Sequence, residues 1–301
     1  MKRTMLMGLT SLLCMGVAAS VSPARALMIA PSPISQRVAT ADCVVVGKVI
    51  AFGDKTVSVA PFPGVKEKQE YQIAIIKIET NVLGAKGMKE IRVGFIPPPA
   101  APVVGPGGGP RIIRRPFRGV TFTLNQEALV FLTKHHEGDF YTAPMYFSVI
   151  NKQGNGNFAK EVDEVKRCAK LLAEPKAGLE SKDKADRLLT AGLLIAHYRQ
   201  RRPAVGEPKT VPIDAELSKQ ILLTLADADW AARPVRPGAF QTTPQNLFFQ
   251  LGITPKDGWT PPKDFKQLPE AAKTWLKDNA GKYRIHRFVA EKKDKEEKSD
   301  K

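Results

Sequence analysis

Tyr71-Gln72-Ile73-Ala74-Ile75-Ile76-Lys77-Ile78 is the stretch on which the fold turns. Its β-branched and aromatic residues read as a strand. Tyr71, Ile73 and Ile75 alternate on one face, and then Ile76 and Ile78 take the other. A change of face within one strand predicts a β-bulge or a strand coiled around a barrel. Segments of the same character flank it. Cys43 to Ala51 is a Val-rich run of buried-strand type. Lys55 to Phe62 alternates weakly and ends in the turn Pro61-Phe62-Pro63-Gly64. Glu90 to Phe95, Val120 to Leu124, Ala128 to Thr133 and Phe140 to Val149 complete a β-rich half.

The period changes further along. Before the first strand, Ile34 to Ala41 reads as a short helix. From Asn157 onward apolar residues fall at helical spacing, as in Phe158, Val162, Val165, Ala169 and Leu172. Ser181 is a candidate cap for a helix from Lys182 to about Arg199 with a wide apolar arc. Asp214 to Trp230 gives another helix. Thr243-Pro244 is a cap and first-turn pair. Pro269 opens a last helix through Trp275. Trp230, Trp259 and Trp275 are expected to anchor this core.

The organisation predicted is a signal peptide at 1–26, a β-rich part at 27–156, a helical domain at 157–290 and a disordered charged tail at 291–301. The signal rests on Lys2 and Arg3, an uncharged apolar stretch, and Ala24-Arg25-Ala26. It predicts export to the periplasm or the extracellular space, with Leu27 at the mature N-terminus. No later window reaches spanning length, so the mature chain is expected to hold no integral membrane segment. The formal charge of +16 loses three cations with the signal, namely Lys2, Arg3 and Arg25. A chain this basic attracts anionic envelope polymers, but its lysines are spread rather than massed, and nucleic acid is the disfavoured partner.

No nucleophile elbow, catalytic triad or cofactor motif stands out, so no catalytic, cofactor or metal residue is assigned. His135-His136-Glu137-x-Asp139 is the densest group of ligand types, yet adjacent histidines on a strand end face opposite ways. A hairpin turn explains the group better than a metal. The Pro/Gly-rich loop at 97–118 lacks phosphate-loop spacing but carries Arg111, Arg114, Arg115 and Arg118. With Lys282, Arg284 and Arg287 these are the candidate polyanion contacts. Cys43 and Cys168 remain after the signal, either as a disulfide in an oxidising compartment or as two buried thiols.

Residues 36–95 resemble the netrin-like module of tissue inhibitors of metalloproteinases. The resemblance rests on Ala41-Asp42-Cys43-Val44-Val45-Val46-Gly47-Lys48-Val49, Tyr71-Gln72-Ile73 with Ile76-Lys77-Ile78, Val82-Leu83-Gly84, and Ile91-Arg92-Val93-Gly94-Phe95. It implies a five-stranded OB-type β-barrel, and hence an α+β chain with the barrel first and helices after. Those inhibitors chelate the protease zinc through an N-terminal cysteine. None precedes Cys43 in the expected mature chain, so that chemistry transfers to no residue here. The whole layout also resembles uncharacterised exported bacterial proteins. The function expected is a non-catalytic binding or envelope-interaction protein. The alternatives are a polyanion binder, a metal-dependent hydrolase at His135, His136 and Asp139, and a protease inhibitor.

Overall fold

A computed structural model describes residues 32–98, 119–231 and 243–289. The expected signal peptide at 1–26, the candidate contacts Arg111, Arg114, Arg115 and Arg118, and the charged tail at 291–301 lie outside the described residues. The protein is α+β, sheet-rich at first and helical later.

Helix α1 (Ile34–Thr40) precedes strands β1 (Cys43–Phe52), β2 (Val57–Val59), β3 (Gln69–Leu83), β4 (Glu90–Phe95), β5 (Glu127–Lys134), β6 (Tyr141–Thr142) and β7 (Val149–Asn151). The strands pair in the order β1-β3-β4-β6-β5-β7, and β5 also pairs with β1. All pairs are antiparallel except β4 with β6, which run parallel. The change of face in Tyr71–Ile78 has a definite origin. Tyr71 and Ile73 enter a small cluster with Phe140, while Ala74 and Ile76 enter the main sheet core. Both faces of β3 are therefore buried, each by a different neighbour. Its register with β4 is unbroken. Beside this stretch the irregularity lies in β1, where the pairing jumps from Val49↔Ile76 to Ala51↔Ile75 and leaves Ile50 over; two further shifts lie in β3 just beyond it, leaving Glu79 and Val82 over.

β1 and β5 are also buried on two faces, which is why they read as continuous apolar runs. Cys43, Val45, Val130 and Leu132 face the main sheet core. Val44, Val46, Leu129 and Phe131 face a second cluster shared with α1 and the later helices. Those helices are α2 (Phe158–Ala173), α3 (Pro175–Leu179), α4 (Lys184–Tyr198), α5 (Ala215–Ala226), α6 (Pro244–Gln250) and α7 (Leu268–Asn279). α4 serves two cores. Leu193 packs on the sheet side with Val165 and Cys168, whereas Ala191, Leu194 and Ile195 pack against α5, α6 and α7. The wide apolar arc of this helix is the trace of both contacts. Its cap is Asp183, which accepts the Ala185 N–H; Ser181 Oγ accepts the Asp183 N–H one step earlier. Thr243 caps α6 with Pro244 in its first turn. Trp259 and Trp275 lie buried around Phe248, and Trp230 closes the edge through a bond from its Nε1 to Leu225 O.

Three expectations of the strand pattern change. Val120 to Leu124 is irregular, although Phe122 is buried in the sheet core. Phe140 to Val149 breaks into β6, a 3₁₀ turn and β7, because Pro144 has no N–H to give a ladder. A two-stranded ribbon also forms between β8 (Lys209–Pro212) and β9 (His286–Val289), within the helical part.

The possible Cys43–Cys168 disulfide is not formed. Both cysteines are free and fully buried. Cys43 points into the main sheet core and Cys168 into the cluster on the other side of β1. Burial pushes each thiol up to about 12, so neither is a reactive thiolate.

Candidate functional site

Three connections meet around Tyr71. The first is the β1–β3 connection, whose β2 pairs Val57 with Tyr71. The second is the exit of β4, where Phe95 pairs with Gln72. The third is the β5–β6 turn, whose His135 ring lies edge-on to Tyr71 at 5.5 Å. At this end Phe62 is 55% exposed, Ile96 42% and Val65 39%. The Pro61-Phe62-Pro63-Gly64 turn closes with a Val65 N–H bond to Phe62 O at 3.2 Å. Its Gly64 abuts Val205, which is itself exposed.

The turn beneath is held by Phe140, only 2% exposed. Its ring occupies the space that a Cβ on Gly94 or Gly138 would fill, with ring carbons 2.4 and 2.1 Å from those positions. His135 stacks on the same ring at 4.6 Å. His135 Nδ1 accepts the backbone N–H of Gly138 at 2.9 Å and of Glu137 at 3.2 Å. An acceptor at Nδ1 places the ring proton on Nε2. Nε2 is buried without a hydrogen-bond partner among the described residues. Burial holds the His135 pKa below its ordinary value, and the neighbouring His136 adds to this.

That shift has a sign for stability. The folded form binds fewer protons than the unfolded chain, whose histidine titrates near 6.5. The contribution of His135 is therefore complete above about 6.5 and is lost as pH falls through that value towards the lowered folded pKa. Denaturation midpoints of the native protein are expected to fall from pH 7.5 to pH 5.5 by more than those of His135→Gln. Parallel losses in the two proteins would contradict the assignment.

The three candidate metal ligands of the turn do not converge. His135 Nδ1 is occupied by backbone, and His136 Nε2 lies 3.6 Å from Glu137 Oε1. Asp139 is paired outward with Lys134 at 3.0 Å, a bond that holds its carboxyl below the usual range. Among the described residues no group of three or more His, Cys, Asp or Glu is placed to hold a metal ion.

The second surface is basic. Of the candidate contacts, Arg284 is engaged internally, donating from Nε and Nη2 to Ile213 O. Lys282 and Arg287 are exposed. Two cations not singled out as candidate contacts lie over Phe288 of the same strand. The guanidinium carbon of Arg199 lies 4.7 Å from the Phe288 ring centre and that of Arg201 lies 5.2 Å from it. Only the pairing of β8 with β9 reveals this, since in sequence Arg199 and Arg201 look like an ordinary helix C-terminus. His197 ties α4 to α1, its Nδ1 3.0 Å from Ala39 O. Among the described residues no helix is long and apolar enough to cross a membrane. No protein-family model matches the chain, and no curated protein shows significant similarity to it.

Proposed function

We propose that the protein is an exported, non-catalytic binding protein whose sheet is an OB-type barrel, with its partner docking at the Tyr71 end. The observation that carries this reading is the cycle of pairings β1-β3-β4-β6-β5-β1 with its single parallel step. Five strands joined in a ring match the OB architecture, which binds ligands across the face of its second and third strands and the loops flanking them. Here those strands are β3 and β4, and the flanking loops are the β1–β3 connection and the β5–β6 turn. The netrin-like resemblance of residues 36–95 supports the same reading. Phe62, Val65 and Ile96 supply exposed apolar contact area at this end.

The test is photo-crosslinking in the exporting cell, with a photo-reactive residue at position 62 or, as control, at position 88. Met88 is 43% exposed in the turn after the far end of β3. A discrete adduct at 62 and none at 88 is expected. No adduct at 62, or the same adducts at both positions, would remove the reading.

A further inference from the structure

His135 is buried at the Tyr71 end with its one acceptor nitrogen committed. It is 7% exposed, stacked on Phe140 at 4.6 Å and edge-on to Tyr71 at 5.5 Å. Its Nδ1 takes two N–H donors from its own turn, Gly138 at 2.9 Å and Glu137 at 3.2 Å. Only an unprotonated Nδ1 has the lone pair that this needs. A proton there would set a third N–H against two others, with no acceptor between them. Turning the ring over would present a C–H, which accepts nothing either. Little in the surroundings can settle a cation in this seat. Within the turn, Glu137 Oε1 lies 3.6 Å from His136 Nε2, and Asp139 is paired with Lys134 at 3.0 Å. The ring of His136, 4.6 Å away, is itself basic. On β3, Tyr71 is kept neutral by burial, and Glu70 accepts the Thr56 hydroxyl at 2.7 Å. Val57 to Ala60 carry no ionisable side chain, and β4 meets the Phe140 ring through Gly94. Stacking of the cation on Phe140 offsets only part of the loss. Burial, and then His136, hold His135 below its ordinary pKa against the opposing pull of Glu137.

We propose that the β5–β6 turn is an acid-operated latch: protonation of His135 ejects its ring from the Glu137 and Gly138 N–H groups, and the turn opens and unseats Phe140 and Tyr71. The closed form binds fewer protons than the open one. It is therefore fully favoured above about pH 6.5 and gives way as pH falls below that value. A partner docked at the Tyr71 end is then released in acid. That release rests on the docking reading of this end; the opening of the turn does not.

Amide hydrogen exchange of the mature chain, read by NMR as protection factors at pH 7.5 and pH 5.5, tests the latch. Gly138 protection is expected to fall by up to about tenfold, the ratio set by one proton binding an open-form histidine that titrates near 6.5. Val49, whose N–H bonds Gln126 O at 2.9 Å, is the reference and should not change. His135→Asn keeps a neutral acceptor, with Oδ1 in the place of Nδ1, and should hold Gly138 protection constant. His136→Gln should leave the acid response in place. The latch is overturned if Gly138 keeps its protection at pH 5.5, if Val49 loses as much, or if His136→Gln rather than His135→Asn removes the response. Crosslinking at position 62 gives a separate answer on the partner. An adduct present at pH 7.5, lost at pH 5.5 and retained by His135→Asn is expected. An adduct that persists at pH 5.5 while Gly138 opens overturns the release. No adduct at either pH, with Gly138 opening, removes the docking reading and leaves the latch standing.

Discussion

Phe140→Ala is expected to destabilise the protein by about 3–5 kcal/mol, measured as a drop in urea midpoint at unchanged m-value. The size follows from what the ring touches. It is buried against Tyr71 and Ile73, fills the space over Gly94 and Gly138, and stacks on His135. Neither glycine can extend a side chain into the void, and the strands on either side are held by ladder bonds, so the cavity cannot collapse. A second readout separates this loss from generic weakening. With the ring gone, water reaches His135 Nε2, and the pKa that burial depresses should move back towards 6.5 in an NMR titration. Phe140→Leu keeps most of the volume and should cost less than half as much. A loss below about 1 kcal/mol for the alanine variant, typical of a site that relaxes, would show that Phe140 does not organise the Tyr71 end.

The parts of this structure legible in sequence are those where local pattern and tertiary demand agree. β1, β4 and β5 fall within a residue or so of the predicted runs, because two-sided or cleanly alternating burial leaves a strong period. The helices follow for the same reason, and Thr243-Pro244 announces its start through a bond local in sequence. Elsewhere the deciding contact is remote. Cysteine number and compartment permit a disulfide, but only the faces of β1 reveal that Cys43 and Cys168 look away from each other. β8 and β9 are four residues each, too short for a period, and their register couples Lys209 to Val289 across α5, α6 and α7. The Arg199–Phe288–Arg201 contact is invisible until that ribbon exists. The Tyr71 end shows the same division: His135, His136 and Asp139 are conspicuous as residue types, yet only the turn geometry assigns His135 to its own backbone rather than to a metal.

Leu193→Ala tests whether the change from strand to helix composition near residue 157 marks a boundary in stability. Leu193 is 1% exposed and belongs to the cluster between the sheet and α2. Its neighbours Leu194 and Ile195 on the same helix belong to the other core, with Trp259 and Trp275. Truncating it should cost about 2–5 kcal/mol, because the facing β1 and β5 cannot move inward without losing their pairing. The three tryptophans, Trp230, Trp259 and Trp275, all lie in the helical part. If α4 couples the two cores, tryptophan fluorescence must report the loss although no tryptophan touches the altered cluster. The fluorescence and far-ultraviolet circular dichroism transitions are then expected to shift together to one lower urea midpoint. A fluorescence transition that stays in place while the dichroism signal splits would mean that the sheet and the outer helices unfold independently. α4 would then be a shared wall rather than the element that makes one cooperative unit.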